Sequence, residues 1–208
     1  IDKEVTIAGE NRETTIITPE SDTASPAGKT NPPGDASGWI LVQDGVRFDL
    51  SGVTLDGTGR KIGVAILTYG SGTIDSCIIK NIQHSQYLGF GVGLWNSDMT
   101  VSNNTFQNIQ RVGVWLKGTE TNGRITGNTY TGKGDGDWLD YGIELGAGAQ
   151  ALVANNAVSG NTGVASTDGS TSAGIYVTTF WGAGTQATVS GNTLSGNSAG
   201  LAVGYDEY

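Results

Sequence analysis

Hydrophobic and polar positions along this chain recur as one short phrase, a glycine followed by two aliphatic residues that flank a variable one. The copies are GVAI from Gly63, GVGL from Gly91, GVWL from Gly113, GIEL from Gly142, GIYV from Gly174 and GLAV from Gly200. Successive copies begin 28, 22, 29, 32 and 26 residues apart, the irregular period of a solenoid whose coils share a core and carry insertions of different size. Alternation within each phrase predicts a short strand whose two aliphatics face inward.

A second phrase lies inside each interval. VSNNTF, ITGNTY, VANNAV and VSGNTL, with IDSCII as a degenerate copy, each place a small polar turn between apolar residues. The turns centre on Cys77, Asn104, Asn128, Asn156 and Asn192. A second column follows at Asn81, Asn108, Asn161 and Asn197, with Lys133 in place of asparagine in one coil. Asparagine tolerates left-handed backbone geometry and bonds neighbouring backbone, and stacked amides can bond from coil to coil. Both columns are therefore expected to be structural ladders.

Together the two phrases resemble the repeat of right-handed parallel β-helix proteins, the solenoids grouped as pectin-lyase-like. The resemblance runs from about Val53 to Tyr208, and more loosely through Val5 to Val42. It implies an all-β, single-domain right-handed parallel β-helix over residues 1–208, with about eight coils and loop insertions before one sheet. That family includes polysaccharide lyases, hydrolases, epimerases, phage tailspikes and noncatalytic surface modules, so fold does not imply activity. The chain shows no family-specific catalytic string, and no catalytic residue is carried over.

Residues 1–62 read as N-terminal coils and 63–208 as regular ones. VTI at Val5, TTII at Thr14 and WILV at Trp39 are short β-rich runs. Residues 19–38 hold all four prolines, Pro19, Pro26, Pro32 and Pro33, and are expected to form a long excursion. The stop soon after the sixth glycine phrase is read as a module of a longer protein with flanking domains.

A chain of 208 residues with 34 glycines and recurrent aliphatics fits one extended core, not disorder. It has no apolar run of about 18 residues, which excludes a membrane-spanning helix. A net charge of -9 with scattered Lys and Arg argues against nucleic acid. A polyanionic sugar would also need a cation to bridge it. Cys77, the single cysteine, reads as a packed thiol at a ladder position.

Parity turns the glycine phrase into a map of one sheet. The expected outward column is Ala65, Gly93, Trp115, Glu144, Tyr176 and Ala202, and beside it run Leu67, Trp95, Lys117, Gly146, Thr178 and Gly204. The longer intervals place Tyr87, Trp138 and Tyr141 on insertions before the phrase, while Phe180 and Trp181 follow the fifth copy. Loops from adjacent coils would wall a groove floored by Trp95, Trp115 and Tyr176, suited to the apolar faces and hydroxyls of a sugar chain. The alternative is that the insertions fold back and bury these rings as a satellite core.

Carboxylates near this face are the candidates for chemistry. Glu144 with Asp137 or Asp140 could supply the acid and second carboxylate of a glycosidase, which stand about 5 to 10 Å apart. Lys117 could serve uronate elimination, with Arg111 nearby. Calcium held by Asp135, Asp137 and Asp140 could bridge an acidic sugar, although the spacing matches no complete calcium loop. A surface ion pair between Lys117 and Glu144 is the simpler account of those two residues. His84, the single histidine, precludes a multi-histidine metal site. Gly89, Gly91 and Gly93 lack the strand-to-helix context of a phosphate loop, and the Asn103 sequon falls on a ladder turn.

Two function classes follow. The first is an extracellular or cell-surface module that recognises a polysaccharide or cell-surface glycan without catalysis. The second is a polysaccharide lyase or glycoside hydrolase working in the aromatic groove, through Glu144, Asp140, Asp137 or Lys117.

Overall fold

A computed structural model describes residues 1–23, 38–85 and 87–204. Among them every regular element is a strand, and the strands form three seven-stranded parallel sheets. Each coil adds one strand to each sheet in turn. The first sheet runs from Val5–Ala8 to Gln186–Ser190, the second from Ile16–Ile17 to Thr193–Ser195, and the third from Gly38–Val42 to Ala199–Gly204. Among the described residues the strands therefore make seven coils, against the about eight expected. The runs at Val5, Thr14 and Trp39 supply the three strands of a single first coil. Most of the proline-rich excursion, residues 24–37, lies outside the described residues.

The core between the sheets is built from the inward aliphatics of the phrases from Gly91 to Gly174, with Phe48, Phe106 and Tyr130 among them, whereas Leu201 and Val203 of the last phrase are exposed. Asparagine amides stitch the turn from the first sheet to the second. Asn104 Nδ2 donates to Asn128 Oδ1 at 3.0 Å, Asn128 Nδ2 to Asn156 Oδ1 at 3.0 Å, and Asn156 Nδ2 to Asn192 Oδ1 at 2.9 Å. The same amides also donate to Ile74, Val101 and Ile125 carbonyls, while their oxygens accept backbone N–H groups. Buried polar groups are thus paired in both directions. Cys77 ends this column as a buried thiol, and its N–H donates to Asn104 Oδ1.

The left-handed backbone falls one residue earlier than the ladder. Ser76, Asn103, Gly127, Asn155 and Gly191 take φ between +54° and +67°, so the ladder asparagines are selected for their amides. The second column divides in two. Asn81 and Asn108 occupy left-handed positions and bond each other at 2.8 Å, whereas Gly160 and Gly196 take that conformation just before Asn161 and Asn197. Between the halves the register shifts from Thr131 to Gly134, a bulge that holds Lys133.

The glycine phrase marks a break in strand parity. Val112 belongs to an outer cluster and Val114 to the inner core, so Gly113 and Val114 both turn inward. A Cβ at Gly113 would lie 2.6 Å from the Gly142 carbonyl oxygen and 2.6 Å from the Tyr130 ring, distances that admit only glycine. The residue before each glycine from Gly91 to Gly174 consequently faces out, and Val64, which follows Gly63, joins them by register. This adds an outward column, Val64, Phe90, Val112, Tyr141 and Ala173, that strict alternation assigns to neither expected column.

Candidate functional site

The outward face of the third sheet carries its own apolar cluster. Val64, Leu67, Phe90, Val112, Trp115, Tyr141, Ala173 and Tyr176 come from the strands, and Leu88 comes from the preceding turn. Leu139, on the 134–140 insertion, packs against them. Arg111 Nη1 donates to the Leu139 carbonyl at 3.0 Å and holds that insertion down. Phe90 stacks on Trp115 with centroids 5.4 Å apart, and Tyr141 on Tyr176 at 4.9 Å. Trp115 retains 1% of its surface and Tyr176 8%. Of the two arrangements the sequence allows, these rings adopt the satellite core, so the expected open floor is corrected at Trp115 and Tyr176, and Tyr141, expected on the groove wall, is buried with them.

Register corrects the map in the first regular coil as well. Ile66 pairs with Val92 and Leu67 with Gly93, so Leu67, not Ala65, heads the Trp115 column, and Ala65 belongs to the core. The same two-residue shift brings Tyr69 to the head of the Trp95 column. Their rings lie 5.6 Å apart and both are half-buried. Sequence reading passed over Tyr69, whose signal was the aromatic just after a strand whose alignment had slipped.

From Trp95 this outer column continues to its register partner Lys117 and then to Gly146. The loop after Thr178 folds back so that Trp181 lies across Gly146, where a Cβ would come 2.7 Å from Trp181 Cδ1. Trp181 Nε1 donates to Glu144 Oε1 at 3.3 Å. Lys117 Nζ stands 4.3 Å from the Trp181 centroid and 5.5 Å from that of Trp115. Tyr69, Trp95, Lys117 and Trp181 thus form a strip across four adjacent coils, edged by exposed Phe180.

Lys117 and Glu144 are both buried, at 7% exposure each. Burial pushes the Lys117 amine down to about 8, opposed by the Glu144 carboxylate. Burial raises the Glu144 carboxyl, opposed by Arg111, Trp181, Lys117 and Trp115. Ion pairs within 4 Å among the described residues are Arg12–Glu13, Arg47–Asp49 and Lys80–Asp56. The expected Lys117–Glu144 surface pair is therefore replaced by two buried groups joined through Trp181.

The acidic loop does not converge on this strip. Asp137 is exposed and accepts from Ser166 N and Oγ, both at 2.7 Å, which holds its carboxyl low. Asp140 turns inward with no exposure, its Oδ2 accepting Lys133 N at 3.2 Å. Burial raises its carboxyl. Asp135 stays exposed. Among the described residues no three His, Cys, Asp or Glu side chains gather to hold a metal, so Asp135, Asp137 and Asp140 do not assemble the expected calcium ligands. Glu144 faces Trp181 while Asp137 faces Ser166, and the expected acid pair is not assembled either. Trp138 lies apart from the strip, half-buried, with Lys133 Nζ 4.7 Å from its centroid.

Compared with known proteins, the family described as right handed beta helix region matches residues 38–207. No curated protein and no solved structure matches the chain. With that span matched and its strands wound into three parallel sheets, this chain belongs to the right-handed β-helix family.

Proposed function

We propose that the protein is an extracellular β-helix module of a larger surface or secreted protein, and that it recognises carbohydrate without catalysis. The observation that carries this reading is the half-buried aromatic strip of Tyr69, Trp95 and Trp181 along the third sheet and its adjoining loop. Coils stack about 4.8 Å apart, so the strip spans about 14 Å, enough for two or three sugar rings laid across the strands. Aromatic faces receive the apolar faces of sugars, and neighbouring polar groups fix orientation. The partner is a polysaccharide or cell-surface glycan, and an extracellular or cell-surface location follows from where such partners occur.

The catalytic alternative draws less support, because Glu144 and Lys117 are covered and the acidic loop points elsewhere. A panel of plant, algal and bacterial polysaccharides, assayed with and without calcium, tests both readings. Binding that weakens about tenfold or more in Trp95→Ala, with circular dichroism unchanged and no new unsaturated or reducing ends, is expected. Accumulation of such ends, abolished by Glu144→Gln or Lys117→Ala, would establish the enzyme instead.

A further inference from the structure

Arg60 and Lys61 carry charges that no carboxylate answers. The chain has 20 Asp and Glu against 11 Lys and Arg, yet both residues are exposed and neither forms an ion pair within 4 Å among the described residues. They line a cleft of about 570 Å³ over the turn from the second sheet to the third, and Asn81, Gln83, Asn108 and Gln110 of the next two coils complete its wall. No Asp or Glu lines it, and no Phe, Tyr or Trp. Two carboxylates near it in the fold are engaged outside it. Asp56 is held by Thr58, Asn81 and Lys80, and Asp22 accepts the Lys61 backbone N–H at 3.0 Å.

The amides of the wall form a chain that fixes which atoms remain for a ligand. Asn81 donates to Asp56 and Thr58 and accepts from Asn108, while Gln83 donates to Asn108 Oδ1 at 2.7 Å. Gln110 Oε1 accepts from the Lys133 ammonium at 3.1 Å, which leaves Gln110 Nε2 as a donor. With the Arg60 fork and the Lys61 ammonium added, remaining donors outnumber remaining acceptors, so the cleft suits a ligand rich in acceptor oxygens and negative charge. A second cleft of about 350 Å³ begins at Asn108 and reaches Lys133. Coils stack about 4.8 Å apart, so the coils of Lys61 and Lys133, three steps apart, lie about 14 Å from each other. The two clefts make one groove with cations at both ends and amides between.

We propose that this groove is a second carbohydrate site, separate from the aromatic strip, and that it takes an acidic polysaccharide laid along the solenoid axis. Anionic groups of the chain meet Arg60 and Lys61 at one end and Lys133 at the other, and the amides between them bond its hydroxyls. These side chains take the place of the bridging cation that a net charge of -9 led us to expect. A nucleic acid strand finds no aromatic ring here on which to stack its bases. The inference rests on the carbohydrate reading for the kind of chain that brings the anions, but not on Trp95, so either site can fail alone.

Dextran, carboxymethyl dextran and dextran sulfate share a backbone and differ in charge, which makes them the probes. Titration calorimetry of the whole protein at about 0.15 M salt, where charges more than about 8 Å away are largely screened, compares the three. At least one charged dextran is expected to bind about tenfold or more tightly than dextran, and the better of the two identifies carboxylate or sulfate as the preferred group. Arg60→Ala combined with Lys61→Ala should abolish that preference with circular dichroism unchanged, Lys133→Ala should weaken it several-fold, and Trp95→Ala should leave it intact. The inference is overturned if neither charged dextran outbinds dextran, if the double variant keeps the preference, or if Trp95→Ala removes it. Equal or tighter binding of a single-stranded oligonucleotide, lost in the same double variant, would overturn it in favour of nucleic acid.

Discussion

Trp181 lies across Gly146, with its indole N–H on Glu144 and the Lys117 amine beneath its ring. One loop side chain thereby closes over a glycine left bare on a strand of the third sheet. Replacing Gly146 by alanine should lift the indole, since a Cβ there would stand 2.7 Å from Trp181 Cδ1. The loop can give, so a stability loss of about 1 kcal/mol is expected, together with greater acrylamide quenching of tryptophan fluorescence. Unchanged quenching would show that the indole does not rest on Gly146.

Trp115 should behave as core. Trp115→Ala removes a ring stacked on Phe90 and covered by its neighbours, and is expected to cost about 3–5 kcal/mol in urea unfolding. Trp95→Ala, on a half-buried ring, should cost under about 1.5 kcal/mol. If the two variants prove equally stable, the outer cluster is not packed as described.

The asparagine ladder offers a directional test. Asn128→Ala strands the Asn104 backbone N–H and Nδ2 and the Val101 carbonyl, all of them served by one buried amide. Leaving buried groups unpaired costs about 1–3 kcal/mol each, so a loss of several kcal/mol is expected. Asn192→Ala strands the equivalent three groups, the Asn156 backbone N–H and Nδ2 and the Val153 carbonyl, but at the half-buried end of the ladder, where water can reach them. It should cost about half as much, and equal losses would mean that the amides act independently of their place in the stack.

These ladders were legible because each asparagine sits in a local turn whose pattern recurs, and its partner is its own counterpart one coil away. The burial of Trp115 was not legible in the same way. Parity places a side chain on the outer face, but whether that face is wet depends on where Leu88 and Leu139 of the insertions come to rest. Tyr69 and the Phe90 column escaped for a different reason. Val64 and Val92 look interchangeable in the repeated phrase, yet Val92 pairs with Ile66, and the inward pair of Gly113 and Val114 reverses the parity before it. The acidic loop misled because Asp135, Asp137 and Asp140 are close in sequence, while backbone geometry sends Asp140 inward and Asp137 to Ser166.

Lys117 also predicts how stability depends on pH. Its amine titrates near 8 in the folded chain and near 10.5 when exposed, so between those values the unfolded chain binds the extra proton. Stability must then rise with pH across that window, because the slope follows the protons bound by the unfolded state minus those bound by the native state. Below about pH 8 both states carry the proton and the slope vanishes. The raised Glu144 carboxyl works the opposite way, favouring the fold at low pH and losing that contribution as pH rises from the ordinary 4.5 through its raised folded value. Urea unfolding of the wild-type protein and Lys117→Met, compared from pH 7.5 to 10.5, isolates the lysine together with its coupling to Glu144, since groups that do not touch the lysine cancel between them. The wild-type protein should gain on the variant by about 2 kcal/mol or more over that range. A difference that stays flat with pH would mean that the folded amine titrates as an exposed lysine does, and that Trp115 and Trp181 do not desolvate it.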